Sequence, residues 1–310
     1  MDFEHGISAI DTGFHRPRFD ASHLIVERDR AAFIDVGTNY SIPALLAELD
    51  AKGIARDAVD YVIVTHVHLD HAGGAGEIMR QLPNARLAVH PRGAPHMINP
   101  ARLVASASSV YGAEEVQRTY GELVPVPVER LIEIRDETLI NFAGRTLRCI
   151  DTPGHARHHF CVWDARSRSF FPGDTFGLSY REFDSENGAF ILPTTTPVQF
   201  DPVALKGSIA RMLLFKPEAM YLTHYSRVVD VERLGRDLFE QIDAMVVIAE
   251  SMYGVAERHE RIKDELADLY LGRAEAHGCM MSRGHMRELL SSDIELNAQG
   301  LEIWLDHGRR

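Results

Sequence analysis

The stretch YVIVTHVHLDHAGGAG, residues 61–76, decides how the rest of the chain is read. The apolar, β-branched run VDYVIVT reads as a buried strand. It leads straight into His66, His68, Asp70 and His71. Strand alternation would set His66 and His68 on one side, and a turn would bring Asp70 and His71 back to face them. Imidazole and carboxylate are ordinary ligands of zinc and of non-haem iron. The segment therefore reads as a metal site rather than a solvated polar loop.

Three further strand ends support that reading. CIDTPGHARHH presents His155 after an apolar strand and a Pro-Gly turn. FFPGDTFG presents Asp174, and MYLTHYS presents His224, in the same context. Four strand ends that each close on a donor supply enough ligands for two metals sharing a carboxylate.

With these residues the chain resembles the metallo-β-lactamase superfamily, from about Gly6 to Tyr225. The resemblance implies an α/β fold, an αββα sandwich of two mixed sheets with helices outside and the site at one sheet edge. It implies that His66, His68 and His155 hold a first metal, that Asp70, His71 and His224 hold a second, and that Asp174 bridges them. Asp35, in FIDVG, matches the family's early aspartate, which orients a ligand from behind. His159 matches a supporting histidine of relatives that read PGHTxGH, although this chain reads PGHARHH. The implied cofactors are two divalent ions, zinc first, with iron or manganese as alternatives.

Outward from this motif, GISAIDTGF, ASHLIVE, RAAFIDVG and ARLAVH read as strands. SIPALLAELDAKG reads as a helix with Ser41 as N-cap and Gly53 at its end. Residues 92–121 read as helical. RLIEIRD, RTLRCIDT, HFCVWDA, RSFFPGD and AMYLTH form a second series of strands, with DPVALKGSIARMLLF, capped by Asp201, as a helix before the last. From Asp230 the text turns helical, with Leu234, Leu238, Ile242, Met245, Ala249 and Met252 at helical spacing. No strand is expected after about residue 225. The expected division is a body, 1–229, and an all-helical C-terminal extension, 230–310. A body followed by helices resembles the glyoxalase II-like and quinolone-signal-type thioesterase branches, whose added helices help wall the substrate pocket.

Bulk properties narrow the function classes. The chain has 310 residues, 45% hydrophobic and 25% charged, with a net charge of -12. That balance disfavours a broad polyanion-binding surface, so nucleic acid is not the expected partner. Three cysteines without a CxxC pair suit a reducing compartment. No secretory leader is read at the start, and no apolar run approaches the ~20 residues that span a bilayer. The expectation is a cytoplasmic protein acting on a small molecule, with a homodimer as an option.

The chemistry expected of such a site is hydrolysis. Two ions ~3.5–4 Å apart can share a hydroxide, since a metal lowers the pKa of bound water from ~15.7 to about 7. Asp70 would orient that nucleophile. The long segment 175–200 offers Phe176, Tyr180, Phe183 and Phe190 as an apolar pocket roof, and Tyr225 follows a ligand. These point to a small ester or thioester, with a phosphodiester second. Outside hydrolysis, a di-iron redox protein and a ligand-binding regulator stay open on the same fold.

Overall fold

The computed structural model describes residues 1–195 and 198–307. The chain forms two compact units. The first comprises Met1–Asp151, His158–Gly173 and Met220–Arg227; the second comprises Thr152–Arg157, Asp174–Ala219 and Val228–Arg310.

The sheets belong almost wholly to the first unit. One runs in the order β1 (Ile7–Asp11), β2 (Ala21–Glu27), β3 (Arg30–Ile34), β4 (Val59–Ile63), β5 (Arg86–Val89), β6 (Leu131–Glu133). Its first three strands are antiparallel neighbours, and β3 to β6 run parallel. Between β3 and β6 lie α1 (Ile42–Ala51), α2 (Leu69–Ala72), α3 (Ala75–Gln81), α4 (Ala94–Ile98), α5 (Ala101–Tyr111) and α6 (Ala113–Tyr120). The second sheet starts with the antiparallel set β7 (Thr138–Phe142), β8 (Arg145–Asp151), β9 (Phe160–Asp164) and β10 (Ser169–Phe171). After α7 (Pro202–Leu213) it is completed by β11 (Ala219–Leu222) and β12 (Ser226–Val228).

Strand β3 shows why its text is apolar after Arg30. Ala32 and Ile34 face one core, shared with Phe142, Leu147, Cys149 and Val162 of the second sheet. Ala31 and Phe33 face another, closed by Leu45, Leu49, Ile78 and Met79 of the helices. A strand covered on both sides has no polar face to alternate with. The two-sheet sandwich is the fold that the resemblance implies.

In the second unit, Asp201 caps α7 as expected. Its Oδ1 accepts the N–H groups of Val203 and Ala204 at 3.0 Å each, and Pro202 takes the first helical position. The C-terminal region is helical: α8 (Val231–Ser251), α9 (Arg258–Ala276), α10 (Arg283–Leu289) and α11 (Ser291–His307). Leu234, Leu238, Ile242, Met245 and Ala249 are buried along one face of α8.

Four expectations need correction. β12 lies beyond residue 225; three residues are too short to show a period. β7 was not read, because exposed Leu139 sits where alternation requires a polar residue. Ser41 does not cap α1 through its side chain; its Oγ accepts from the N–H of Thr38, whose own hydroxyl accepts from Tyr40 N–H. β4 ends at Ile63, so His66 and His68 converge from a loop and not by strand alternation.

Segment 175–200 is a fastened loop of the second unit rather than a loose one. Leu178 and Leu192 exchange backbone hydrogen bonds at 2.8 and 2.9 Å. Gln241 on α8 donates to the Ile191 carbonyl, and Asn297 on α11 accepts from Thr195 N–H. Residues 196 and 197 of this segment lie outside the described residues.

Candidate metal centre

The site in the first unit follows from strand direction. β3 and β4 are parallel, with Ile34 opposite Ile63, so both open onto the same edge of the sheet. Asp35 leaves β3 there, and Thr65 and His66 leave β4. The second sheet delivers His224 just after β11. Ligands of open parallel sheets gather at such carboxyl ends.

Asp70, His71 and His224 present donor atoms that all lie within 4.8 Å of one another. His71 Nδ1 lies 2.8 Å from Oδ2 of Asp35, which has φ 50° and is 1% exposed. A carboxylate accepts, so the ring donates from Nδ1 and keeps its lone pair on Nε2. His224 Nδ1 donates to the carbonyl of Phe19 at 3.1 Å, with the same consequence. The two Nε2 atoms stand 3.6 and 3.4 Å from Oδ2 of Asp70. Two neutral imidazoles and a carboxylate, with tautomers fixed from behind, fit a divalent cation.

His66 is oriented by the same carboxylate through one more residue. The Thr65 hydroxyl lies 3.0 and 2.9 Å from the two oxygens of Asp35 and must donate to them. It can then only accept from His66 Nδ1, at 3.1 Å. That leaves His66 Nε2 with its lone pair, 2.8 Å from Nδ1 of His68. His159 stacks on His66 at 4.7 Å between ring centroids. A side chain at Gly173 would meet Thr65 and His159, and this residue has φ 47°.

The remaining two expected ligands belong to the second unit. His155 Nδ1 donates to the carbonyl of Thr194 at 3.3 Å, and its Nε2 lies 3.3 Å from Oδ2 of Asp174. Both side chains are buried. Gly154 sets this ligand in place. A Cβ there would fall 2.2 Å from the backbone nitrogen of Leu205, and its φ is 132°.

The aromatic residues expected near substrate are buried side chains. Phe176 and Tyr180 are buried, and the Tyr180 hydroxyl donates to Asp293 at 3.2 Å. Phe183 is buried and stacked on Phe190. Tyr225 is buried with Ala9 and Ala21. Thr65, Thr223 and Phe19 were not singled out from the sequence. Thr65 and Thr223 did carry a signal, since Thr-His recurs at 65–66 and 223–224, and both hydroxyls end on Asp35. The Phe19 role is a backbone carbonyl, which no residue type announces.

No helix among the described residues is long and apolar enough to cross a membrane.

Residues 15–224 match the model of the metallo-beta-lactamase superfamily. A metallo-beta-lactamase fold-containing protein of Sulfurisphaera tokodaii is 30% identical over 224 residues, 71% of this chain and 77% of that protein. A hydroxyacylglutathione hydrolase of a Synechococcus species is 27% identical over 146 residues, 47% of this chain and 43% of that enzyme. The crystal structure of an archaeal metallo-beta-lactamase superfamily protein from Sulfolobus tokodaii has a TM-score of 0.69. The match covers 96% of this chain and 98% of that one at 24% identity, a likeness of fold. The family model and the Sulfurisphaera relative together establish that the chain belongs to the metallo-β-lactamase superfamily.

Proposed function

We propose that the protein is a binuclear-metal hydrolase of small esters or thioesters. In this reading His66, His68 and His155 hold one ion, Asp70, His71 and His224 hold the other, and Asp174 is shared. Family membership and the order of the motif support that assignment. Zinc is the expected metal. The carrying observation is the Asp70–His71–His224 cluster, whose two rings are fixed with Nε2 toward one carboxylate oxygen.

Bound divalent ions would supply a water that ionises near neutral pH and a Lewis acid for the acyl oxygen. The chain does the rest. Asp70 is the most open of the three ligands, with 24% of its side chain exposed against 0% and 7% for the histidines. It is the one placed to orient an attacking water through its other oxygen. Asp35 and the Phe19 carbonyl keep the rings from turning, so the donor set needs little rearrangement on binding.

The leaning to esters and thioesters has two supports. One is the hydroxyacylglutathione hydrolase among the relatives. The other is the net charge of -12, which disfavours polyanions. The test is elemental analysis of the purified protein, paired with turnover of a thioester and of a bis-aryl phosphodiester. About two zinc per chain, on the two-metal scheme, with thioester turnover is the expected result. Iron with neither substrate turned over would replace this reading with redox chemistry or regulation, and diester turnover alone would make it a phosphodiesterase.

A further inference from the structure

We propose that His158 is a positioning residue for the His66–Val67–His68 part of the centre, holding both the backbone of that loop and the ring of His68. The proposal rests on the ligand set proposed above for these histidines, but not on what the site hydrolyses.

His68 cannot be oriented as the other histidines of this unit are. His66, His71 and His224 engage Nδ1 with Thr65, Asp35 and the Phe19 carbonyl, which leaves Nε2 for an ion. His68 is turned the other way, with its Nδ1 2.8 Å from Nε2 of His66. A supporting partner on Nδ1 would block the atom that faces the site. The ring has to be held through another contact. The backbone needs a hold as well, because β4 ends at Ile63 and both histidines lie beyond it.

His158 supplies both. Phe160 N–H donates to the Thr65 carbonyl at 2.9 Å, and Val67 N–H donates to His158 Nδ1 at 3.4 Å. Pairing 160 with 65 and 158 with 67 lays the two segments side by side in opposite directions. The second bond is long, but its donor is the residue between the two ligands. A neutral ring that accepts at Nδ1 carries its proton on Nε2. The same ring meets His68 at 90°, with centroids 5.6 Å apart, an arrangement that aromatic pairs favour. It lies nearly parallel to His66, at 12° and 6.2 Å. Turning His68 about its Cβ–Cγ bond would give up the right-angled contact. His158 is itself 8% exposed, so its own ring is fixed by the packing around it.

The pattern PGHTxGH has glycine where this chain has His158. Glycine offers neither an acceptor nor a ring. The histidine is therefore a hold that this chain adds to the loop of His66 and His68. His71 and His224 take their orientation from Asp35 and Phe19, so the ion assigned to them and Asp70 does not depend on it.

The test measures zinc affinity, by competition with a chromophoric chelator, in two parent variants. His224→Ala removes a ligand of one ion and leaves the ion of His66 and His68 to be read. His68→Ala does the reverse. Each parent is compared with the same protein carrying His158→Gly or His158→Asn, once the metal-free melting temperatures have been checked. In the His224→Ala parent, His158→Gly should weaken zinc by about tenfold, the low end of the usual loss when a ligand's support is removed. His158→Asn, which keeps an acceptor but no ring, should lose less. In the His68→Ala parent neither substitution should change the affinity. The asparagine variant keeps the test open if the glycine one does not fold. Unchanged affinity in the His224→Ala parent, or equal losses in both parents, would overturn the proposal. If the loss is confined to the His224→Ala parent but wild type hydrolyses no ester or thioester, the positioning role stands and the hydrolase reading falls.

Discussion

His71 and Asp35 are joined by a 2.8 Å hydrogen bond from Nδ1 to Oδ2, and both side chains are almost wholly buried. The same carboxylate accepts the N–H and hydroxyl of Thr65 and the hydroxyl of Thr223. Replacing Asp35 with asparagine exchanges one acceptor oxygen for a donor amide. At least one of these partners must then face N–H with N–H or O–H. Zinc affinity should fall by about 10–100-fold, the usual loss when a ligand's supporting partner is removed. Competition against a chromophoric chelator measures it, and an unchanged affinity would mean that His71 is oriented by something else.

Thr65 and Thr223 provide a test that needs no metal. Hydrogen bonds to a buried charged group contribute about 1.5–3 kcal/mol each. Thr65→Val and Thr223→Val should each lower the unfolding free energy of the metal-free protein within that range, while Thr65→Ser should restore most of the loss. Because both hydroxyls end on one carboxylate, the double variant should depart from additivity. Urea denaturation of the four proteins reads this directly, and strict additivity would argue that Asp35 does not couple them.

The candidate ligands were legible in the sequence because donor residues at strand ends are conspicuous by type. His66, His68, Asp70 and His71 follow β4, and His224 follows β11, the strand ends at which they were read. The means of orientation was less legible. Asp35 was visible, but Phe19 acts through its backbone and Thr65 through a hydroxyl whose partner is 30 residues away in sequence. In segment 175–200 the aromatic side chains are buried, and the backbone is tied to α8 and α11 by Gln241 and Asn297, side chains distant in sequence that no local pattern points to.

Gly154 should be intolerant of any side chain. Its φ of 132° is one that L residues rarely adopt, and a Cβ would stand 2.2–2.3 Å from the backbone of Leu205. The carbonyl of Gly154 also accepts from Asp201 N–H at 2.8 Å, beside the cap of α7. Gly154→Ala should therefore destabilise by more than the ~1–3 kcal/mol typical of a single strained residue. Gly207→Ala, with open space around its Cβ position, should be neutral or stabilising. Thermal unfolding of the two variants side by side separates local strain from a general effect of adding a methyl group, and equal losses would count against it.

His23 and Asp20 give the metal-free protein two opposing responses to pH. His23 lies on β2 edge-on to the stacked rings of Phe171 and Tyr221, and burial lowers its pKa to about 4 from 6.5. Between those values the unfolded chain binds the extra proton, so this stability is complete above pH 6.5 and is lost as pH falls toward 4. A depression of this size is worth about 3 kcal/mol. Asp20 behaves in reverse. Burial raises its pKa to about 7 from 3.8, so its stability is complete below pH 3.8 and is lost as pH rises through 7. In the overlap, from pH 4 to 6.5, the two slopes cancel. His23→Phe removes one of them. Relative to wild type, the variant should lose about 1.4 kcal/mol per pH unit as pH rises from 4.5 to 6. Urea melts of both proteins at three pH values in that interval decide it. A stability difference that does not change with pH would mean that His23 keeps its ordinary pKa in the fold.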